Sequence, residues 1–319
     1  MISRRSFACA AALVLAAIAP AAAQEQVKVA IGQRGLWDTA ICHLGDKAGI
    51  FGKHGLKLEL LYTAGAGETQ QAVISNSVDI GMATGVYGSM GAFAKGAPIR
   101  IIGAQATGAA EFWYVKTGSP VKTLKDAAGK TMAYSTNGSS THSMALALIR
   151  EAGVAAKPVA TGNPPSTLTA VMTDQVDIGW ASPPFGFKEM DAGQIRIVAK
   201  AIESKIVTDQ TIRVIVTQPD TLAKRKDMID RFMAAYRDTI DYMYSDNPQV
   251  MKDYAEFVGV SEVLAKRVRD EFFPKSLLNP DEIKGLEMIV PDAVALKYIS
   301  QPLTTDQLKQ LIQIPPRKS

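Results

Sequence analysis

The chain has 319 residues, of which 47% are hydrophobic and 21% are charged, and its formal net charge is +4. This balance is typical of a folded protein of about two domains and excludes an intrinsically disordered chain. The positive charge is too small to indicate a nucleic-acid binder. Two cysteines cannot form a disulfide framework, and no apolar run reaches the roughly 18 residues of a membrane-spanning helix.

The first 23 residues have the layout of a secretory signal peptide. Arg4 and Arg5 precede an apolar stretch from Phe7 to Ala19, and an Ala-x-Ala cleavage pattern ends at Ala23. Paired arginines are also typical of twin-arginine export signals, so the general and the twin-arginine routes both stay open. We therefore expect an exported, periplasmic protein whose mature form retains a single cysteine.

Strands and helices then alternate along the chain. Strands are predicted at Val27–Ile31, Leu58–Tyr62, Val78–Met82, Ile99–Ile102, Phe112–Val115, Thr131–Tyr134, Val176–Trp180 and Thr211–Thr217. From Asp227 onward, Met and aromatic residues recur at helical spacing, which we interpret as core packing. Prolines from Pro248 to Pro302 divide this last part into short helices.

An internal repeat relates the two halves of this pattern. Residues 69–81 and 167–179 agree at seven of thirteen positions, at an offset of 98. A second pairing, at an offset of 104, relates the strands predicted at 27–31 and 131–134, each followed by a loop and a helix that ends near a glycine. Both halves thus have the order strand, helix, strand, helix, strand, which favours mostly parallel sheets with right-handed crossovers.

A repeat of this length predicts two similar α/β lobes rather than a solenoid. We predict that residues 24–112 and 211–319 form lobe 1, including the C-terminal helices, and that residues 113–210 form lobe 2. The chain then crosses between the lobes twice, near 103–118 and 205–213. Such a two-stranded hinge permits bending about a cleft.

Motifs for nucleotide hydrolysis, dinucleotide binding and nucleophilic hydrolysis are missing from the sequence. The histidines, His43, His54 and His142, form no pattern with cysteine or carboxylate residues at metal-binding spacing. We therefore expect a protein that is not an enzyme, with no catalytic residue, no metal site and no cofactor. A site assembled only in space would leave no such motif.

Ligands of open parallel sheets bind beyond the carboxyl ends of the strands, where this chain carries glycine, aromatic and hydroxyl residues. Glycine lets the backbone approach a ligand, and aromatic rings offer flat faces. The predicted ligand-binding residues are Gly35, Trp37, Gly67, Glu68, Thr84, Tyr87, Asn137, Ser139, Ser140, Thr141, Ser182, Pro183, Phe185 and Arg213. Arg34 and Arg213 are candidate counter-charges for an anion, and solvated surface positions are the alternative. Asp79 and Asp177 are expected to bind backbone amides instead of a ligand.

The segment 135–141 carries the sharpest of these signals. Gly138 precedes three hydroxyl residues that open a predicted helix. Free amide groups and the helix dipole make such a terminus attractive to anions, although an ordinary helix cap explains the same residues. We predict that Ser139, Ser140 and their amides hold the anionic end of a ligand.

Three stretches of this sequence resemble one protein family. They are GAGETQQAVISNSVDIGMATG, AYSTNGSSTHSMALALIREAGV and VDIGWASPPFGF. Together with the export signal, they resemble the nitrate/taurine/sulfonate group of ABC-transporter periplasmic substrate-binding proteins over about residues 25–300. That group shares its fold with the fungal thiamine-pyrimidine synthases.

The resemblance implies a periplasmic binding protein of the type II fold, in which two lobes close over one small molecule. It implies a monomer that docks on a permease in the inner membrane, powered by a separate ATPase subunit, with no nucleic-acid partner. We expect the solute to be a small organic anion, such as a sulfonate or carboxylate. The alternative is a protein or enzyme on the same fold that binds a thiamine precursor or pyrimidine. The fungal enzymes use a cysteine-rich motif, whereas the mature chain retains only Cys42.

Overall fold

The computed structural model describes residues 24–205 and 209–317, so the predicted signal peptide lies outside the described residues. The strands are β1 (Glu25–Gly32), β2 (Leu56–Thr63), β3 (Ile80–Gly85), β4 (Arg100–Thr107), β5 (Phe112–Lys116), β6 (Thr131–Tyr134), β7 (Lys157–Ala160), β8 (Gly179–Ala181), β9 (Ile195–Lys200) and β10 (Thr211–Thr217). The helices are α1 (Ile41–Lys47), α2 (Ile50–Lys53), α3 (Ala66–Ile74), α4 (Val86–Ala94), α5 (Ser140–Ala152), α6 (Pro164–Met172), α7 (Phe187–Asp191), α8 (Pro219–Lys224), α9 (Lys226–Met243), α10 (Pro248–Val258), α11 (Glu262–Phe272), α12 (Leu286–Ala295) and α13 (Thr305–Leu311). Within the described ranges, no helix is long and apolar enough to cross a membrane.

The sheet of the first lobe has the strand order β2-β1-β3-β10-β4. Strand β1 runs parallel to β2 and β3, whereas β10 runs antiparallel to both of its neighbours. Every residue of β3 and β10 is buried, as expected for central strands with both faces covered. Strand β10, with which the chain returns from the second lobe, is therefore an interior strand of the sheet of the first lobe.

The strands of the second lobe form a mixed array. Strand β5 lies antiparallel between β8 and β9, β6 runs parallel to β7, and a parallel bridge from Met132 to Ile178 joins β6 to the start of β8. Parallel pairing thus holds within the repeated units, as predicted. It fails at the strands that follow a crossing between the lobes, because such a strand enters its sheet from the opposite end.

The internal repeat is confirmed in the hydrogen bonds. The hydroxyl oxygens of Thr63 and Thr69 lie 2.7 Å apart where β2 leads into α3, and those of Thr161 and Thr167 lie 2.6 Å apart where β7 leads into α6. Both pairs are separated by the predicted offset of 98 residues. The repeat is therefore a structural one, in which each lobe ties a strand to the following helix through the same threonine pair.

The two aspartates of the repeat also have equivalent roles. The carboxylate of Asp79 accepts a hydrogen bond from the amide of Lys28 (2.8 Å), and that of Asp177 accepts one from the amide of Thr131 (2.9 Å). This confirms the expectation that both carboxylates bind backbone amides. Each one is bound to a neighbouring strand, Asp79 to the middle of β1 and Asp177 to the first residue of β6.

The C-terminal helices complete the first lobe. Helix α9 buries its predicted stripe, including Phe232, Met233 and Tyr236, which confirms that the stripe is core. It packs on α1 closely enough that a Cβ atom on Gly45 would lie 2.2 Å from the hydroxyl of Thr239. These helices hold the loop that follows β1 at the boundary between the lobes.

Candidate functional site

Loops from both lobes meet beyond the carboxyl ends of the strands. The amide of Gly67 in lobe 1 donates a hydrogen bond to the hydroxyl of Thr136 in lobe 2 (2.9 Å). A Cβ atom added to Gly35 would lie 3.0 Å from the ring of Phe185. The structure therefore brings the predicted loops of the two halves together, with the lobes in contact.

Glycine residues make the closest part of this contact. Cβ atoms added to Gly85 and Gly88, at the start of α4, would lie 2.3 and 2.2 Å from the carbonyl oxygen of Gly138. The Cβ atom on Gly85 would also lie 2.9 Å from the amide nitrogen of Ser140. In this conformation the backbone of lobe 1 thus covers the first turn of α5.

The capping role of the segment 135–141 is confirmed. The hydroxyl of Ser139 accepts a hydrogen bond from the amide of His142 (3.1 Å) and lies 2.9 Å from the hydroxyl of Thr141. The side-chain oxygen of Asn137 accepts a bond from the Tyr134 hydroxyl (2.6 Å). These groups bind one another, so the contact of Ser139 and Ser140 with an anion stays a prediction.

Two aromatic residues predicted to clamp a ligand are core residues. Trp37 is fully buried, and its indole N–H donates to the hydroxyl of Tyr244 (2.9 Å). Tyr87 is 2% exposed and donates its hydroxyl proton to Gln210 (2.8 Å). The polar group of each ring is already bound within the protein, which weighs against a ligand contact there, and the binding roles of Trp37 and Tyr87 stay predictions.

Two polar candidates in lobe 1 are likewise bound within the protein. The buried hydroxyl of Thr84 donates to the carbonyl oxygen of Val214 (3.0 Å). The exposed carboxylate of Glu68 accepts from the amide of Ala64 (2.9 Å), just before α3 begins. Both side chains serve local structure in this conformation.

Arg213 lies buried at the lobe boundary between two carboxylates. Its guanidinium bonds to Asp38 (Nη1 to Oδ2, 2.6 Å) and contacts Oε1 of Glu111. Arg213 is 4% exposed, and the side chains of both acids are fully buried. Two carboxylates and one guanidinium carry a formal charge of −1, so Arg213 is not the free counter-charge for an anion that the sequence suggested.

Neither acid is among the predicted site residues. Glu111 lies in the first crossing between the lobes and belongs to no motif, so nothing marked it beforehand. Asp38 follows Trp37 in the loop after β1, and its position at a strand end was the one available signal. Gln105 fixes this loop, because its amide nitrogen donates to the carbonyl of Asp38 (3.1 Å) and its oxygen accepts from the amide of Ala83 (2.6 Å).

Several buried polar atoms at this boundary have no hydrogen-bond partner. Among the described residues they include Oδ1 of Asp38, Oε2 of Glu111 and the hydroxyl of Ser182. Phe112 pairs with Ala181 in the β5–β8 ladder, so the same antiparallel register places Glu111 opposite Ser182. We call Asp38, Glu111, Ser182 and Arg213 the Arg213 cluster. Ser182 is thus the predicted residue that lies opposite one of the two missed acids, Glu111.

Pro183 and Phe185 continue the chain beyond Ser182. The peptide bond between Pro183 and Pro184 is cis, and Phe185 lines a groove of about 290 Å³ between lobe 2 and α10. The other predicted counter-charge, Arg34, holds its guanidinium 4.2 Å from the centre of the Phe257 ring. Arg34 therefore also has a partner within lobe 1.

A larger cavity of about 450 Å³ opens beside Glu111. It lies between Phe112 of β5, Phe187 of α7 and Phe272 of α11, and it falls in the size range of small-molecule sites. In the part of the chain that the structure describes, no group of three or more His, Cys, Asp or Glu residues could hold a metal ion. The lobe boundary therefore offers room for a small organic molecule, with polar groups from both lobes.

Known proteins share both sequence features and fold with this chain. A family model described as NMT1/THI5 like matches residues 38–250. The alkanesulfonate-binding protein SsuA from Xanthomonas axonopodis pv. citri, bound to MOPS, has a TM-score of 0.74 at 15% identity, covering 91% of this chain and 98% of that one. No curated protein matches in sequence.

Two further solved structures are similar. The periplasmic nitrate-binding protein NrtA from Synechocystis PCC 6803 has a TM-score of 0.69 at 13% identity, covering 90% of this chain and 86% of that one. The desulfurization enzyme DSZB has a TM-score of 0.63 at 13% identity, covering 91% of this chain and 96% of that one. These likenesses confirm the two-lobe α/β fold predicted from the sequence.

Proposed function

Because the chain belongs to the NMT1/THI5-like family, we propose that it is the solute-binding component of an ABC importer. It holds one small organic solute between its lobes and delivers it to a membrane permease. The observation that carries the proposal is the meeting of strand-end loops from both lobes, which the bond from Gly67 to Thr136 exemplifies. SsuA and NrtA, which share the fold, are named as binding proteins for an alkanesulfonate and for nitrate.

The cellular setting of the proposal follows from the sequence. The signal-peptide pattern of residues 1–23 supports export to the periplasm. The partner is then a permease in the inner membrane with a separate ATPase subunit, and the binding protein acts as a monomer. The solute favours the closed state to the extent that it binds that state more tightly than the open one.

The pairing of the predicted counter-charges weighs against an anionic solute. An organic anion was predicted partly from Arg34 and Arg213, but Arg213 is neutralised by two carboxylates and Arg34 lies over Phe257. The first turn of α5 is a further positive element, and Gly85 lies against it. We therefore propose a polar organic solute that need not be an anion.

The test begins with the mature protein purified from the periplasm of its own host. Denaturation should release one small molecule per chain, which mass spectrometry identifies. That molecule should rebind with 1:1 stoichiometry in calorimetry, reduce the radius of gyration in small-angle X-ray scattering and be recovered chemically unchanged. A chain that carries no solute and binds none of the solutes imported by its host would contradict the proposal.

A second candidate is an enzyme on the same fold that acts on a pyrimidine or thiamine precursor. Two observations favour it: the description of the family names THI5, and the enzyme DSZB shares the fold. The two candidates differ in one measurable respect. An enzyme would release a changed product over many turnovers, whereas a binding protein saturates at one solute per chain.

A further inference from the structure

The Arg213 cluster holds more negative than positive charge in a buried place. Asp38 and Glu111 each have a fully buried side chain, and they share one guanidinium between them. Each acid still has a carboxylate oxygen without a hydrogen-bond partner. The hydroxyl of Ser182 also has no hydrogen-bond partner. The cluster therefore has acceptors left over after its internal bonds are made.

Such leftover acceptors are costly. A buried polar group without a hydrogen bond destabilises the fold, and a charged one does so more strongly. Most buried polar atoms in proteins are therefore bonded to protein or ordered water, and the exceptions require an explanation. Two unpartnered carboxylate oxygens around one cation are best explained by a further hydrogen-bond donor that binds there.

The cluster also spans the boundary between the two lobes. Asp38 and Arg213 belong to lobe 1, Ser182 follows β8 in lobe 2, and Glu111 lies in the segment between β4 and β5 that joins the lobes. The cavity beside Glu111 lies at the same boundary. A donor bound to the cluster would therefore contact both lobes at once and would favour the closed conformation.

We propose, resting on the solute-binding function above, that the Arg213 cluster recognises a protonated nitrogen group of the solute, an ammonium or amidinium. Its N–H groups bind Oδ1 of Asp38, Oε2 of Glu111 and the Ser182 hydroxyl, and its charge balances the formal −1 of the cluster. A carboxylate or sulfonate at the same place would add a third negative charge and supply no proton.

Two probes of the same shape and opposite charge test this proposal. Benzamidinium and benzoate are each titrated into the protein lacking residues 1–23, with calorimetry and thermal unfolding as readouts. Benzamidinium should bind 1:1 and raise the Tm, and benzoate should bind at least tenfold more weakly. Equal or tighter binding of benzoate, or binding of neither probe at millimolar concentration, would overturn the proposal.

Substitutions within the Arg213 cluster test whether benzamidinium binds there. Glu111→Gln replaces an acceptor by an amide and should weaken benzamidinium binding at least tenfold. Asp220→Asn removes an exposed charge that is paired with Lys224 on α8, and it should leave binding unchanged. Should Glu111→Gln not fold, Ser182→Ala removes one acceptor from the same cluster and should weaken binding several-fold. Unchanged affinity in a folded cluster variant would overturn the proposal.

The identity of the natural solute separates this inference from the function on which it rests. A solute that binds 1:1 but carries no protonated nitrogen would refute the role of the Arg213 cluster and leave the importer function standing. If benzamidinium binding depends on Glu111 but the protein chemically converts the natural molecule, the role of the Arg213 cluster stands and the importer function is refuted.

Discussion

His142 is held as a neutral imidazole between the lobes. Its Nδ1 lies 2.8 Å from the hydroxyl of Tyr298 in lobe 1 and accepts a bond from the amide of Gly138 (3.3 Å), and its ring stacks on Tyr134. Burial lowers the pKa of His142 from 6.5 to about 4. A proton on Nδ1 would remove the acceptor that the amide of Gly138 uses.

This environment predicts a pH-dependent stability. Between pH 6.5 and 4, His142 is protonated in the unfolded chain but stays neutral in the folded one. The free energy of unfolding therefore falls as the pH falls. From pH 7 to 5 we expect this residue to contribute a loss of about 1 kcal/mol, allowing for its partial exposure. Urea unfolding of the wild type and of His142→Asn, which keeps an acceptor but does not titrate, measures the difference. Identical pH dependence in the two proteins would contradict the prediction.

Single residues were the hardest features to predict from the sequence. Trp37 stands in the loop after β1 and Arg213 near the start of β10, and local sequence gave no reason to exclude either from a ligand site. Their partners lie far away along the chain: Tyr244 is 207 residues from Trp37, and Asp38 is 175 residues from Arg213. Burial and pairing of this kind depend on tertiary contacts that no short motif encodes.

The repeated elements are the part of the fold that the sequence predicted best. Helices α3 and α6 begin and end 98 residues apart, at the offset found in the sequence. Strand limits were less accurate: the strand predicted at Val176–Trp180 is observed at Gly179–Ala181. Asp177 lies outside it because its carboxylate binds the amide of Thr131. Strand β4 continues five residues past the predicted Ile102, since antiparallel pairing with β10 extends it.

The shared threonine pair predicts equal energetic roles in the two lobes. Thr69→Val and Thr167→Val each remove a hydroxyl that bonds the preceding strand end and the first turn of its own helix. Each should lower the free energy of unfolding by about 1 kcal/mol in urea titrations. Their effects should add in the double variant, because the sites share no partner.

The matched control for this pair lies on the second of the two helices. Thr169→Val removes an exposed hydroxyl that bonds only within α6, and it should change the free energy of unfolding by less than about 0.5 kcal/mol. Suppose that one of the variants Thr69→Val and Thr167→Val loses much stability and the other loses none. The two sites would then share their geometry but not their contribution to the free energy of unfolding.

At the scale of the whole molecule, closure of the lobes depends on glycine residues, which have no side chain, where α4 meets the loop before α5. The Gly88→Ala change would put a methyl group 2.2 Å from the carbonyl oxygen of Gly138, so the two lobes must separate to admit it. Alanine is the better helix former, so lobe 1 itself should fold normally. We expect a larger radius of gyration by small-angle X-ray scattering and at least tenfold weaker solute binding.

Gly118→Ala is the control for this change, because no atom lies within 4 Å of the added Cβ atom. Gly118 lies in the loop after β5 and has no part in the contact between the lobes. Its variant should keep both the wild-type radius and the wild-type affinity. A Gly88→Ala protein that matches it in both measurements would mean that the lobes do not close through α4 and α5.

The burial of Cys42 makes it practical to measure opening and closing of the lobes with fluorescent dyes. It is buried in lobe 1, 3.1 Å from the sulfur of Met82, and burial raises the pKa of its thiol well above the ordinary value. A shielded, protonated thiol reacts slowly with maleimides. Dyes can therefore be attached to cysteines engineered on the two lobes without first replacing the native one, and single-molecule fluorescence can then time each opening.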